Sequence, residues 1–217
     1  MHSILVYSDS LSWGLIPNTR QRFEFTKRWP GVMENRLCEN ETPVRVIEDC
    51  LNGRRTAWED PDRPGRNGLV GLEQRIEINS PLSLVIVLLG TNDFQSTHQV
   101  NADQSAQGVG DIVASIRRAP IEPGMPVPEI LVVAPPPVQN AKGEMAIRFA
   151  GAEAKNPGHS EAIRRVASDT GSHFLDAGSV TKTSQTDGVH LDEDQHLGLG
   201  LALATKVGEI LLSKNAC

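Results

Sequence analysis

The chain of 217 residues carries 21 Lys+Arg against 27 Asp+Glu, a formal net charge of −6, with 39% hydrophobic and 22% charged residues. That length suits a single domain, 1–217, with a sizeable core; the apolar content excludes a disordered chain, and 19 Gly and 14 Pro without a collagen period exclude a fibre. An acidic balance repels a phosphate backbone and an anionic lipid surface, so neither nucleic acid nor a membrane is an expected partner.

Met1-His2-Ser3-Ile4-Leu5-Val6-Tyr7 lacks a basic stretch and turns polar at Ser8, too early for a signal peptide, so a cytoplasmic location is expected. Five runs rich in Ile, Leu and Val predict buried strands at Ile4–Val6, Val44–Ile47, Leu82–Leu89, Ile130–Ala134 and His173–Leu175. Helical apolar spacing lies between them, at Leu69, Leu72 and Ile76 and again at Ile112, Val113 and Ile116. This alternation predicts an α/β domain whose parallel sheet is covered by helices on both faces. A last helix is expected from the stripe Leu199, Leu203, Val207, Ile210 and Leu211, capped by Asp192 with Gln195 three residues on. Its apolar interval, Leu197 to Leu212, is broken by Lys206 and Glu209 and is shorter than a bilayer requires.

Two stretches read as long loops. One spans Asn52 to Asn67 and holds Arg54, Arg55 and Arg66, expected to be a solvated charge set or to hold the loop against a site; the other follows Pro135-Pro136-Pro137 towards Gly151. Cys38, Cys50 and Cys217 are odd in number and widely spaced, which indicates neither a disulfide framework nor a zinc site. Gly108-Val109-Gly110 and Gly198-Leu199-Gly200 follow no strand and do not complete a dinucleotide fingerprint.

After the first strand stands Ser8-Asp9-Ser10-Leu11-Ser12-Trp13-Gly14, and after the third Gly90-Thr91-Asn92-Asp93. Each segment alone is compatible with an ordinary turn or helix cap. Position adds meaning, because an open parallel sheet binds ligands at the carboxyl ends of its strands, and in the order 2-1-3-4-5 the switch point lies between the first and third. Asp187-Gly188-Val189-His190, between the fifth strand and the last helix, reaches the same edge. A serine hydroxyl is a poor nucleophile until an imidazole accepts its proton, and a carboxylate fixes that imidazole's tautomer; Ser10, His190 and Asp187 suit those roles. The oxyanion formed on attack needs donors already in place, and Asn92 and the Ser10 N–H suit that one. Asp192, Glu193, Asp194 and His196 near His190 raise a metal reading, but acidic residues at a helix start answer to the helix dipole, so no metal is expected. Trp13 is open between walling an acyl pocket and packing in the core.

These blocks resemble the SGNH or GDSL hydrolases, with Ser10 in the nucleophile position, Asn92 in the oxyanion position and Asp187 and His190 in the closing Asp-x-x-His. Trp13-Gly14, Arg28-Trp29-Pro30-Gly31-Val32, Leu51-Asn52-Gly53-Arg54 and Asp176-Ala177-Gly178-Ser179 resemble the arylesterase and acyltransferase (perhydrolase) branch. The resemblance implies a flavodoxin-like three-layer sandwich with a five-stranded parallel sheet of order 2-1-3-4-5. It further implies a serine esterase acting on short-chain acetyl or aryl esters through a covalent acyl-enzyme. Acyl transfer as a side activity, no cofactor, a small-molecule ester as partner and a homo-oligomeric state go with it. Ser8 stands where the family usually has Gly, so either φ stays negative there or a strained angle is tolerated. The second block's glycine falls at Cys50, whose N–H is expected in the oxyanion hole, with Gly53 as the alternative. A carbohydrate deacetylase or thioesterase would use the same machinery, and a non-catalytic small-ligand module on the same scaffold is the rival of another class.

Overall fold

The computed structural model describes residues 1–214, so Cys217 lies outside the described residues. In chain order the elements are β1 (His2–Ser8), α1 (Ser10–Trp13), α2 (Trp29–Glu39), β2 (Val44–Cys50), α3 (Leu72–Asn79), β3 (Leu84–Leu88) and α4 (Ala102–Arg118). There follow β4 (Glu129–Ala134), α5 (Glu144–Arg148), α6 (Ala152–Lys155), α7 (His159–Asp169), β5 (His173–Asp176) and α8 (Glu193–Lys214). The five strands form one parallel sheet in the order β2-β1-β3-β4-β5, as expected from the sequence.

Strand alternation sends successive side chains to opposite faces, and both faces are covered. Ile4, Val6, Leu84 and Ile86 pack against Trp29 and Met33 of α2 and Leu199, Leu203 and Val207 of α8. Leu5, Tyr7, Val85 and Val87 pack against Ile76 of α3, Ile112 and Ile116 of α4 and Ile163 of α7. Every residue of β3 is buried, so its unbroken apolar run reflects burial on both faces, each such side chain stabilising the fold by roughly 1.5–3 kcal/mol. The result is three layers with all strand carboxyl ends at one edge.

The structure corrects one expectation about segments and decides between the two alternatives for the first long loop. The helix α8 is longer than the interval 197–212: residues 193–213 are long and apolar enough to cross a bilayer by length and composition. Here its stripe of Leu199, Leu203, Val207 and Leu211 is nearly inaccessible to solvent and forms one wall of the core. The Gln195 side chain accepts from the Asp192 N–H at 2.8 Å, the return arm of a capping box. In the first long loop, Arg54 and Arg55 are buried and not solvated. Arg54 donates to the Ser8 carbonyl at 2.9 Å and pairs with Asp49 at 2.6 Å, its guanidinium lying 4.0 Å over the Tyr7 ring. Arg55 donates to Gln95 and Thr97 at 2.9 and 2.8 Å, and Arg66 to the Asn52 carbonyl at 3.1 Å. These bonds lash the loop to the carboxyl edge of the sheet.

Candidate active site

At the end of β1 the chain turns directly into a single helical turn. Asp9 caps it, its Oδ1 accepting from the Leu11 N–H at 2.9 Å, and Gly14 ends it in the left-handed region. Ser10 is thus the first residue of α1, where an N–H has no intrahelical acceptor. Ser8 completes β1 by pairing with both Cys50 and Leu88 and is not among the residues of positive φ, so the first of the two alternatives for Ser8 holds and no strain arises. Its hydroxyl has a use that glycine could not supply. Trp29 Nε1 donates to Ser12 Oγ at 3.0 Å, Ser12 Oγ to Ser8 Oγ at 2.6 Å, and Ser8 Oγ to the Leu88 carbonyl at 2.7 Å. This buried chain of donors ties the turn bearing Ser10 to β3 and α2.

The turn after β3 brings Asn92 beside Asp9. Asn92 Nδ2 donates to Asp9 Oδ2 at 2.8 Å and to the Arg54 carbonyl at 3.1 Å, while its Oδ1 accepts from Gln95 Nε2 at 2.7 Å. The amide orientation is fixed by three partners. Burial raises the Asp9 pKa to about 6, opposed by the Leu11 N–H, His190, Asn92 and Arg54. Behind this pair Asp93 accepts from the Thr56 N–H at 3.0 Å and from the Thr56 and Ser105 hydroxyls at 2.7 Å each. His159 Nε2 lies 3.0 Å from Ser105 Oγ; since Ser105 gives its proton to Asp93, His159 is the donor in that contact.

Between β5 and α8 the Asp-x-x-His segment folds into a turn closed by its own carboxylate. Asp187 Oδ1 accepts from the Val189 and His190 N–H groups at 2.9 Å each, and Oδ2 lies 2.6 Å from His190 Nδ1. Gly188 at φ 77 is required here, because a Cβ would stand 2.3 Å from the Gln139 carbonyl oxygen. Burial pushes the Asp187 carboxyl up, but the hydrogen bond and charge of His190 and the two N–H donors outweigh it and hold the carboxyl below its usual range. Asp187 is 1% exposed, so this ionised carboxylate is desolvated and its pull on the imidazole is not screened by water.

Ser10, Asn92, Asp187 and His190 line one cavity of about 720 Å³. Apolar surface comes from Leu15, Met145 and Phe149, polar surface from Asn18, Asn52 and Glu144. Two expectations are corrected. Cys50 does not line this cavity: as the last residue of β2 it packs against the core, its thiol 3.7 Å from the Val6 carbonyl, whereas Asn52 and Gly53 do line it. The strand keeps its direction through Cys50, and the backbone turns into the cavity only at Gly53, whose φ is 84. Burial, then the nearby Glu48, pushes the Cys50 thiol well above its ordinary pKa, which removes it as a thiolate nucleophile. Trp13 is likewise absent from the lining; its ring carries the Arg22 guanidinium 4.8 Å above it. His196, 1% exposed, meets Phe23 edge-on and has its pKa lowered to about 3 by burial, with Arg28 and His190 adding to it, so it is a packing histidine.

A hydroxyl at a helix start, an imidazole held by a buried carboxylate and a fixed amide, all at the switch point of a 2-1-3-4-5 sheet, define a class: the serine ester hydrolases of flavodoxin-like fold. The GDSL-like lipase/acylhydrolase family matches residues 9–198, and the chain belongs to that family. Est24, a carbohydrate acetylesterase from Sinorhizobium meliloti, superposes with a TM-score of 0.91 at 32% identity, covering 97% of this chain and 100% of its own. The aryl esterase of M. smegmatis does so with a TM-score of 0.90 at 33% identity over 97% and 100% of the two chains. A lipase/acylhydrolase from Enterococcus faecalis, at 14% identity and a TM-score of 0.64 over 95% of each chain, shares the fold alone. No curated protein matches the chain in sequence. The protein is accordingly a carboxylic ester hydrolase.

Sequence reasoning missed the support behind the site: Asp9 on Asn92, Gln95 on its carbonyl, and the Trp29–Ser12–Ser8 relay. Asp9 carried a signal, since a carboxylate two residues before an apolar helix position is an N-cap pattern. The partners contributed by Gln95 and Trp29 carried none.

Proposed function

We propose that the protein hydrolyses short-chain acetyl or aryl esters through an acyl-enzyme on Ser10. As Ser10 Oγ bonds the ester carbonyl carbon, its proton passes to His190 Nε2 and the carbonyl electron pair moves onto oxygen. Asp187, on Nδ1, keeps Nε2 free to accept and stabilises the imidazolium. The oxyanion is met by the Ser10 N–H, the Gly53 N–H and Asn92 Nδ2. Both Asn92 amide protons are engaged in the free site, so the longer bond to the Arg54 carbonyl, 3.1 Å, is the one that yields when the oxyanion arrives. Collapse breaks the bond to the leaving oxygen, which takes the proton from His190. Water then repeats the sequence on the acyl-serine and releases the acid. An alcohol or hydrogen peroxide in place of water would give acyl transfer or perhydrolysis as a side activity, and a homo-oligomer follows from the resemblance to the arylesterase branch.

The observation that carries this reading is the buried Asp187–His190 contact of 2.6 Å lining the same cavity as Ser10. A second reading, removal of acetyl groups from a carbohydrate, is favoured by Asn18, Asn52 and Glu144 on the cavity wall and by the likeness to a carbohydrate acetylesterase. Wild-type protein is expected to cleave p-nitrophenyl acetate and to gain the mass of an organophosphonate at Ser10, and Ser10→Ala to do neither. Wild type as inert as Ser10→Ala over several short esters would leave the non-catalytic binding module in its place.

A further inference from the structure

The protein is acidic as a whole, with a formal net charge of −6, yet three arginines, Arg20, Arg63 and Arg148, line the cavity that holds Ser10. Arg20 comes from the segment between α1 and α2, Arg63 from the loop after β2 and Arg148 from the end of α5. Three separate segments thus bring like charges to one cavity; Arg20 and Arg148 are exposed, so water screens part of the repulsion, and an anionic ligand would relieve what is left. The acidic groups nearby supply that relief only in part. Asp187 is engaged by His190, and Asp60 is divided between Arg63 at 3.3 Å and the fully buried Arg55 at 3.6 Å. Glu144 lines the cavity as the remaining carboxylate. Among the described residues, Arg20 and Arg148 make no side-chain hydrogen bond and no ion pair within 4.0 Å. Partial desolvation, then the charge of Arg63, holds the Arg148 guanidinium below its ordinary pKa, with Arg20 adding to this and Asp60 and Glu144 opposing it.

We infer that Arg20, Arg63 and Arg148 form an anion-binding subsite beside the oxyanion hole, and that the preferred ester carries a carboxylate, sulfate or phosphate on its alcohol side. The inference rests on the esterase reading and narrows its substrate. An acetyl group has no room for a second charged function, so the anion belongs to the alcohol. A guanidinium presents planar, paired N–H donors that match the oxygens of these anions, and two unpartnered guanidiniums give the ligand its own partners without breaking an internal pair. An acetylated acidic sugar or an acetylated hydroxy-aryl acid has this chemistry.

The test compares 4-acetoxybenzoate with its neutral methyl ester, each kcat/KM divided by the rate of spontaneous hydrolysis under the same conditions. At low ionic strength the wild type is expected to favour the carboxylate by about tenfold, mainly through KM, and to lose the preference in about 0.5 M salt. Arg148→Gln and Arg20→Gln should each reduce the ratio, and the double variant should bring it to about one; thermal melting checks that the variants fold. Cleavage of both esters without preference, or a preference that both substitutions leave intact, overturns the subsite while the esterase reading stands. Inertness towards both esters brings down the esterase reading and the subsite with it.

Discussion

Asn in place of Asp187 separates the carboxylate's electrical role from its shape. In the native turn Oδ1 is held by two N–H donors, Val189 and His190, each at 2.9 Å. An amide must keep its oxygen on that pair, because the reverse orientation would set NH₂ against two donors in a site that is 1% exposed to solvent. The NH₂ then faces His190 Nδ1, which must become the acceptor, and the proton moves to Nε2, where it blocks uptake from Ser10. The expected loss in kcat is ~10,000-fold, about 5 kcal/mol at 1.36 kcal/mol per factor of ten. KM should change little, since the substitution leaves the cavity wall in place. Steady-state hydrolysis of p-nitrophenyl acetate measures both constants, and thermal unfolding measures the cost to the fold. Trading a charge-assisted contact for a neutral one should cost about 1–3 kcal/mol, or several degrees in Tm. A folded variant within about tenfold of wild-type kcat would refute the argument that this carboxylate sets the imidazole's tautomer.

Further outcomes follow from the same geometry. Gly53→Ala places a Cβ on a backbone φ of 84, where the tip of Arg63 can move aside but the backbone is strained, so kcat should fall about 10- to 100-fold as the N–H shifts. Cys50→Ala should stay within about threefold in kcat/KM, and a loss near 1,000-fold would show that the thiol takes part after all. Asn92→Ala removes the amide donor and should lower kcat by ~100- to 1,000-fold, with KM showing the smaller change. Burial lowers the His159 pKa to about 4, so its neutral form contributes stability that is complete above its unfolded value near 6.5 and is lost as pH falls towards 4. His159→Gln keeps a donor for Ser105 and cannot titrate. The wild type should therefore lose stability relative to His159→Gln by about 1.4 kcal/mol per pH unit as pH falls from 6.5 to 4, and parallel curves would contradict a depressed His159 pKa.

The strands and the nucleophile turn were legible because their causes are local. A short, β-branched apolar run such as Leu84–Leu88 favours a strand covered on both faces, and Ser8-Asp9-Ser10 caps its own helix through Asp9. The Asp187–His190 contact belongs here too, since three residues of chain and a glycine suffice to close it. Cys50 was misread because a register carried along the sequence could not say where the backbone leaves β2; the turn into the cavity comes three residues later, at Gly53. Arg54 and Arg55 looked like surface charge because their partners, the Ser8 carbonyl, Asp49, Gln95 and Thr97, are supplied by other segments.

By itself the sequence predicted a parallel sheet covered by helices on both faces, and its motifs, through their resemblance to the hydrolase family, implied the strand order and singled out Ser10, His190, Asp187 and Asn92. The covered sheet depends on periodicity and the motif residues on neighbours within a few positions, whereas the strand order is long-range and came from the resemblance alone. Tertiary structure alone decided that Gly53 and not Cys50 lines the cavity, that Trp13 stays off its wall, and that Arg20, Arg63 and Arg148 share it. Those outcomes depend on how distant loops come to rest against one another, and no local pattern of residues encodes that contact.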